Sequence, residues 1–563
     1  MAPSIDIKPV QPEEIKKEKL PVTILSGFLG SGKTTLLQYI LKGDHGMKVA
    51  VIVNDIGQFN VDGALLGHHA SKTTEKLVQL QNGCICCTLR SDLLQEIGEL
   101  ASKGTFDYLV IESSGISEPQ QVAETFAEEF SDMMLQAAED LKTEMKDMTP
   151  EEVKSNVKVA EVLAAGGLPA ISRLDCCVTV VDAANIMDNF NTHEFLVDRF
   201  GREDVPEEDD RDISNLFVDQ IEFSDRIIIN KVDLVSKEHL AKVKQLVRTL
   251  NPEAHLIESI HGHIDLKQIL NTHSFSYTKA AMSAGWLKSL NEEVTPETEE
   301  YGVGTFVYAQ RRPFHPERLW KACRNVFVVI QTEYMDDGCD APAAEGEDED
   351  EDEEPEDADD EDEHEDEDEE MTEEEDVASE AGSDSEAQPQ LNPAARLEAK
   401  RADPTWKDLL RSKGFFWLAT RPLLFGEWSS AGLYLTLQGG GRWRCELPRD
   451  LWPTDPEIVR AIERDFKGPW GDRRQELVFI GQNMRDDPLT GAEGAEKRIR
   501  RALDACLLND EEWARWQRIM QSKAKGLRTP KQKQRALDEL FNDGFEDWDE
   551  VDELNQDHTG HNH

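Results

Sequence analysis

Nowhere in the 563 residues do eighteen apolar residues follow one another, so no segment reads as a bilayer-crossing helix. The first twenty residues are polar and rich in Lys and Glu, without the apolar core of a signal peptide. Positive charge is scarce: 61 Lys and Arg stand against 114 Asp and Glu, for a formal net charge of −53. Such a field repels phosphate backbones and anionic lipid, which argues against nucleic acid and membrane surfaces as partners. Cysteines number only nine, three of them within residues 84–87. Adjacent cysteines in a large chain with no secretory segment point away from disulfides and toward a reducing compartment, the cytoplasm or cytoplasm and nucleus. No internal repeat is present.

Much of the negative charge sits in one place. Within 345–376, 26 of 32 residues are Asp or Glu, and 27 of the 53 excess charges remain elsewhere. The surrounding tract, 340–395, has too few apolar residues to offset the entropy of ordering and is expected to be disordered. Upstream, five short β-branched runs recur at 22–26, 49–53, 108–111, 177–181 and 226–229. Bounded by helical or loop segments, they predict the central strands of a mostly parallel sheet covered on both faces. Four of them end at Asp, Glu or Asn: Asn54-Asp55, Glu112, Asp182 and Asn230. In an open parallel sheet, ligands lie just beyond those strand ends. Residues 20–275 therefore read as one α/β domain, with a mostly helical insertion at 130–172. A smaller α+β domain follows at 300–515, interrupted by the acidic tract. Residues 1–19 read as a disordered N-terminus and 520–563 as a charged tail.

The segment Gly27-Phe28-Leu29-Gly30-Ser31-Gly32-Lys33-Thr34 fits G-x-x-x-x-G-K-[ST] and sits between a predicted strand and a predicted helix, the context a phosphate-binding loop requires. Its glycines allow backbone N–H groups to converge on a phosphate, and the helix N-terminus adds positive potential. Lys33 is placed to reach β- and γ-phosphates, Thr34 to ligate Mg²⁺, and Ser31 and Thr35 flank them. Glu112 is the expected acidic partner of the magnesium shell, and Ser113-Ser114-Gly115 suits a γ-phosphate sensor. Asp55 is either a second catalytic carboxylate, orienting magnesium or the attacking water, or an ordinary strand-end acid. Asn230-Lys231-Val232-Asp233 closes the fifth run. An Asp carboxylate there accepts two hydrogen bonds from guanine N1 and N2, which adenine cannot supply. The expected nucleotide is GTP.

Gly83-Cys84-Ile85-Cys86-Cys87 precedes a helical pattern. Three thiols this close suit a soft or borderline ion such as Zn²⁺ or Cu⁺, and a nearby helix start favours thiolates. Three ligands leave a fourth position open, as an exchangeable site needs. Buried small residues or a redox cluster are the alternatives.

Taken in order, GFLGSGKTTLL, NGCICC, ESSGISEP, VTVVDA and NKVDL resemble the CobW family of metal-handling P-loop GTPases, in its zinc-limitation branch. The likeness continues through FVYAQRRPFHPERLW, SKGFFWLATRP, RRQELVFIGQ and LDACLLNDEE. The resemblance implies a P-loop GTPase domain with a CobW C-terminal domain, CxCC as the metal motif, and nucleotide contacts at Gly30, Gly32, Lys33, Thr34, Asn230 and Asp233. Many relatives carry a Glu where this chain has Gln58, so no switch-loop metal ligand carries over there. The expected function is a GTP-hydrolysing zinc metallochaperone serving a client metalloprotein, compatible with a homo-oligomer. A signalling or assembly GTPase with structural cysteines, and a cobalt carrier for corrinoid chemistry, are the competing readings.

Overall fold

The computed structural model describes residues 19–54, 77–80, 88–127, short stretches between 134 and 199, 212–287, 302–331 and 393–548, single positions inside these spans excepted. Its first sheet holds seven strands: β1 (Leu20–Ser26), β2 (Val49–Asn54), β3 (Leu77–Leu80), β4 (Tyr108–Glu112), β5 (Ser172–Asp182), β6 (Arg226–Asn230) and β7 (His255–Glu258). Their order is β3-β2-β4-β1-β5-β6-β7, and every pairing is parallel. All five β-branched runs are strands of this sheet. The two strands without a sequence signal, β3 and β7, are its edges, where an apolar residue on both faces is not required.

β5 begins five residues before the run that predicted it, because its polar residues are satisfied inside. Asp175, fully buried, accepts hydrogen bonds from Tyr108 Oη at 2.6 Å, Thr272 N at 2.7 Å, His273 N at 2.9 Å and Arg173 Nη1 at 2.7 Å. A polar strand start of this kind hides from a hydrophobicity reading.

Helices α1 (Lys33–Lys42), α2 (Thr88–Lys103), α3 (Pro119–Glu124), α4 (Ile213–Phe223) and α5 (Lys237–Leu250) cover the sheet. Leu36, Leu37 and Ile40 of α1 pack on Leu25, Val51, Val110 and Val178. On the other face, Leu93, Leu94 and Ile97 of α2 pack on Val22, Ile24, Ile52 and Ile111. Of the insertion expected at 130–172, the described positions 134–136, 138–139, 141 and 159–164 are helical, and Ala138, Val159 and Val162 join that second core.

The second sheet holds β8 (Val303–Gln310), β9 (Val328–Ile330), β10 (Leu409–Phe416), β11 (Leu424–Ala431), β12 (Tyr434–Arg442) and β13 (Gln475–Gln482), ordered β8-β13-β10-β11-β12-β9. It is antiparallel except where β9 joins β12. Helices α6 (Pro316–Arg324) and α8 (Ala495–Cys506) bury Leu319, Cys323, Ile499 and Leu503 against Phe306, Tyr308 and Phe479. Beyond them come α9 (Asp510–Gln521) and α10 (Pro530–Asp538), and then a strap in which Phe541 and Phe545 are buried. The Phe545 ring lies 5.4 Å from that of Trp320 and 6.3 Å from that of Phe416, and Trp548 lies 5.7 Å from Phe416. Residues read as a charged tail from 520 onward thus pack on the second sheet as far as 548. The basic run 522–535 masked the apolar residues on either side of it.

The two sheets share a core. Leu410, Ala431, Val478 and Ile480 of the second join Leu216, Ile221, Val243 and Leu246 of α4 and α5. The described residues break off after 331 and resume with α7 (Pro393–Ala402). Both ends are fastened at one point: Arg396 Nη1 donates to the Phe327 carbonyl at 2.8 Å, and Lys400 Nζ stands 5.3 Å above the Phe327 ring. The acidic tract lies between them, outside the described residues up to 392.

Candidate functional site

The turn from β1 into α1 is held by contacts only glycine permits. Gly27 adopts φ 132°, and a Cβ there would run into the Val180 carbonyl oxygen on β5. Gly32 adopts φ 107°, and a Cβ there would strike the Asn230 amide. Lys33 is almost wholly buried and folds back over its own loop, its Nζ donating to the Gly27 carbonyl at 2.5 Å and the Phe28 carbonyl at 3.3 Å. Burial lowers its ammonium to about 8, against the opposing pull of Glu112. A buried cation held mainly by neutral carbonyls is a site that gains from an incoming anion. Ser31 adds a second sign of that kind: its Oγ is buried with no hydrogen-bond partner among the described residues.

Thr34 Oγ1 lies 3.3 Å from Glu112 Oε1. The pairing follows from topology, since β1 and β4 are neighbours with Leu25 opposite Glu112. A hydroxyl and a carboxylate oxygen are hard donors, which fit a Mg²⁺ that keeps most of its waters. Thr35, one residue on, is exposed on the first turn of α1.

Asn230 joins three loops. Its Nδ2 donates to the Ser31 carbonyl at 2.9 Å, and its Oδ1 accepts from Gly262 N at 3.2 Å. Both ends of the amide therefore serve the protein, tying the phosphate loop to the loop that follows β7. Lys231 sits in the left-handed region at φ 60° and pairs with Asp182 Oδ2 at 2.7 Å. Asp233 and Leu234 are exposed just beyond, Leu234 at 65%. A cavity of about 330 Å³ opens beside Gly30 and Ser31, bounded further by Asp182, Asn185, Arg199 and Phe217.

The structure thus brings Gly27, Gly30, Ser31, Gly32, Lys33, Thr34, Glu112, Asn230 and Lys231 to one end of the sheet, with Asp233 at the rim. Asp55 and the cluster Cys84, Cys86 and Cys87 fall outside the described residues, and among the described residues no three His, Cys, Asp or Glu side chains converge as a metal site. The five described cysteines are not alternatives. Burial pushes the thiols of Cys176, Cys177, Cys323 and Cys506 up, and Cys445 up to about 12. None of them belongs, among the described residues, to a group of three His, Cys, Asp or Glu side chains placed to hold an ion.

Sequence reasoning missed three participants. Asp182 is visible as a strand-end acid, but only the fold brings Lys231 beside it. The loop 259–262 carried no signal, although Val232 N donates to the Ser259 carbonyl at 3.3 Å. Gln220, on α4, donates through Nε2 to the carbonyls of Gly115 and Ser117, both at 3.1 Å. Gln220 is one of several polar positions on α4, and nothing in the sequence pattern sets it apart from Asn215, Asp219 or Glu222.

A family model of the CobW/HypB/UreG nucleotide-binding domain matches residues 21–163 and 150–258, and one of the cobalamin synthesis protein CobW C-terminal domain matches residues 387–507. The chain is 35% identical over 515 residues to zinc-regulated GTPase metalloprotein activator 1 of Dictyostelium discoideum, covering 89% of this chain and 83% of that protein. It is 32% identical over 262 residues to the protein of the same name from Schizosaccharomyces pombe, covering 46% of this chain and 50% of the relative. A zinc chaperone CobW from Pseudomonas aeruginosa is 30% identical over 260 residues, covering 45% of this chain and 60% of the relative.

Proposed function

The chain belongs to the CobW/HypB/UreG family, and from that membership we propose that it is a GTP-hydrolysing zinc metallochaperone. The observation that carries the enzymatic half is the cluster of Lys33, Thr34 and Glu112 at the mouth of a glycine-built loop. Lys33 offers its charge to the β- and γ-phosphates. The turn around Gly30 and Gly32 presents backbone N–H groups, and Asn230 holds that turn against the base-reading loops. Thr34 and Glu112 would hold Mg²⁺, which would supply charge neutralisation on the phosphate oxygens. Asp233, exposed at the rim, reads the guanine edge, and Asp55 orients the attacking water.

Zinc is the cargo. Cys84, Cys86 and Cys87 hold it between β3 and α2, in the stretch of chain that joins the two flanking segments of the γ-phosphate site. GTP tightens the hold on zinc and hydrolysis loosens it, delivering the ion to a client metalloprotein in the cytoplasm. The names of the relatives support zinc over cobalt.

A zinc titration against a chelating dye tests this reading, with protein held either by GDP or by a non-hydrolysable GTP analogue. Reciprocal coupling of ordinary size is about 1–3 kcal/mol, or roughly 5- to 150-fold in affinity. Zinc should bind tighter with the analogue by at least the lower figure, and serine at all three cysteines should abolish the site while sparing nucleotide affinity. Equal zinc affinities in the two states would sink the chaperone cycle.

A further inference from the structure

Helix α4 stands between the phosphate site and the second sheet, and its two faces carry different chemistry. Phe217 and Gln220 lie three residues apart on one face, whereas Asn215, Asp219 and Glu222 recur at helical spacing on the opposite one. On the first face, Phe217 borders the cavity beside the phosphate loop, and Gln220 Nε2 grips the carbonyls of Gly115 and Ser117. Those two residues belong to the segment that leaves β4 directly after Glu112. Gly115 itself is pressed against Leu29 of the phosphate loop, so closely that a Cβ on it would strike the Leu29 side chain.

On the second face, Arg411 of β10 enters from the other sheet with 1% of its side chain exposed. Its Nε and Nη2 donate to the two Glu222 carboxylate oxygens at 3.3 and 3.2 Å, and its Nη1 donates to Asn215 Oδ1 at 3.2 Å. Asp219 Oδ1 lies 3.6 Å from Nη2. A planar guanidinium clamped on one helix face has little freedom to slide without breaking several hydrogen bonds at once. Movement of α4 is therefore movement of β10.

The acceptor end of Gln220 is left over in this arrangement. Its side chain is wholly buried, yet its Oε1 takes no hydrogen bond from any described residue. Buried amide acceptors are nearly always satisfied, so a donor brought to this position in another nucleotide state would be held.

We propose that Gln220 is a positioning residue for segment 113–117, and that α4 passes the position of that segment to the second domain through Glu222, Asn215 and Arg411. The proposal rests on the reading of Ser113-Ser114-Gly115, at the start of that segment, as the γ-phosphate sensor. It deepens that reading by assigning the second domain a nucleotide-dependent position with a defined mechanical link.

The test uses the full chain with GDP or a non-hydrolysable GTP analogue, following amide hydrogen exchange in 409–416 and 424–431. Wild type should show different exchange in these strands in the two nucleotide states. Gln220→Met, which keeps length but removes both donors, should erase most of that difference. It should also lower kcat at nearly unchanged KM and shift the analogue-to-GDP affinity ratio by about fivefold or more. Arg411→Lys, which keeps the charge but loses the fork, should erase the exchange difference while leaving kcat nearly as it was. That pattern separates the link from the sensor, and it remains readable if Gln220→Met fails to fold. Identical exchange in the two states of wild type, with calorimetry confirming that both nucleotides are bound, overturns the link. A Gln220→Met protein with wild-type kcat overturns the positioning role. If neither guanine nucleotide binds, the underlying functional reading fails instead.

Discussion

Lys33 illustrates how one residue ties sequence to site chemistry. Burial has lowered its ammonium to about 8, and a bound phosphate will raise it again by favouring the charged form. The protein without nucleotide is therefore partly deprotonated at Lys33 near pH 8, and binding draws a proton in. Affinity for GDP should fall as pH rises through about 8, because each binding event must then supply the missing proton. Calorimetry at pH 8 in buffers of different ionisation enthalpy should show net proton uptake, absent in Lys33→Met. The identity of Lys33 was legible from eight residues of sequence. Its two carbonyl contacts, and hence its shifted titration, were not, since they depend on the exact path of the loop past β5.

Among the elements, the strap after α10 was least legible and has the clearest mechanical role. A Thr529-Pro530 start with Gln532 three residues beyond Thr529 is a helix-opening signature, and the structure shows the reciprocal capping bonds. The signal was in the sequence but was outweighed by its surrounding lysines. Conversely, β1, β2, β4, β5 and β6 announced themselves because buried parallel strands must be apolar on both faces. The polar opening of β5 and the edge strands β3 and β7 lack that requirement and so lacked the signal. Phe541, 2% exposed, packs in the cluster with Trp417, Trp443 and Trp516. Phe541→Ala should destabilise the second domain by about 3–5 kcal/mol, the usual cost of emptying a buried aromatic site. Urea denaturation followed by tryptophan emission measures it. A loss below about 1 kcal/mol would mean the strap detaches freely.

At the scale of the whole molecule, the shared core of α4, α5 and the second sheet predicts one cooperative transition. All eleven tryptophans lie at or beyond Trp286, so none reports from the strands and helices that bind nucleotide. Tryptophan emission should nonetheless register the ligand. At about 100 times its Kd, GDP stabilises a native state by about 2.7 kcal/mol, and the tryptophan-monitored midpoint should rise with it. Independent unfolding of the two domains would leave that midpoint unmoved while the midpoint seen by a nucleotide-displacement assay rises. The sequence made two domains visible. Their common core was hidden, because the residues that form it, Leu410, Ala431 and Val478 among them, look like any other apolar positions of a small sheet.

The fastening of Phe327 to Arg396 and Lys400 bears on how the chain tolerates change between them. It holds the residues before 331 and after 393 next to each other through contacts of their own. The entropy of closing a flexible loop grows only with the logarithm of its length, about 0.6 kcal/mol for each doubling. Shortening the acidic tract between 345 and 385 should therefore leave the urea midpoint of the two sheets nearly unchanged. The same tolerance makes this the place to graft a fluorescent or affinity module, at a distance in sequence from every residue of the phosphate loop.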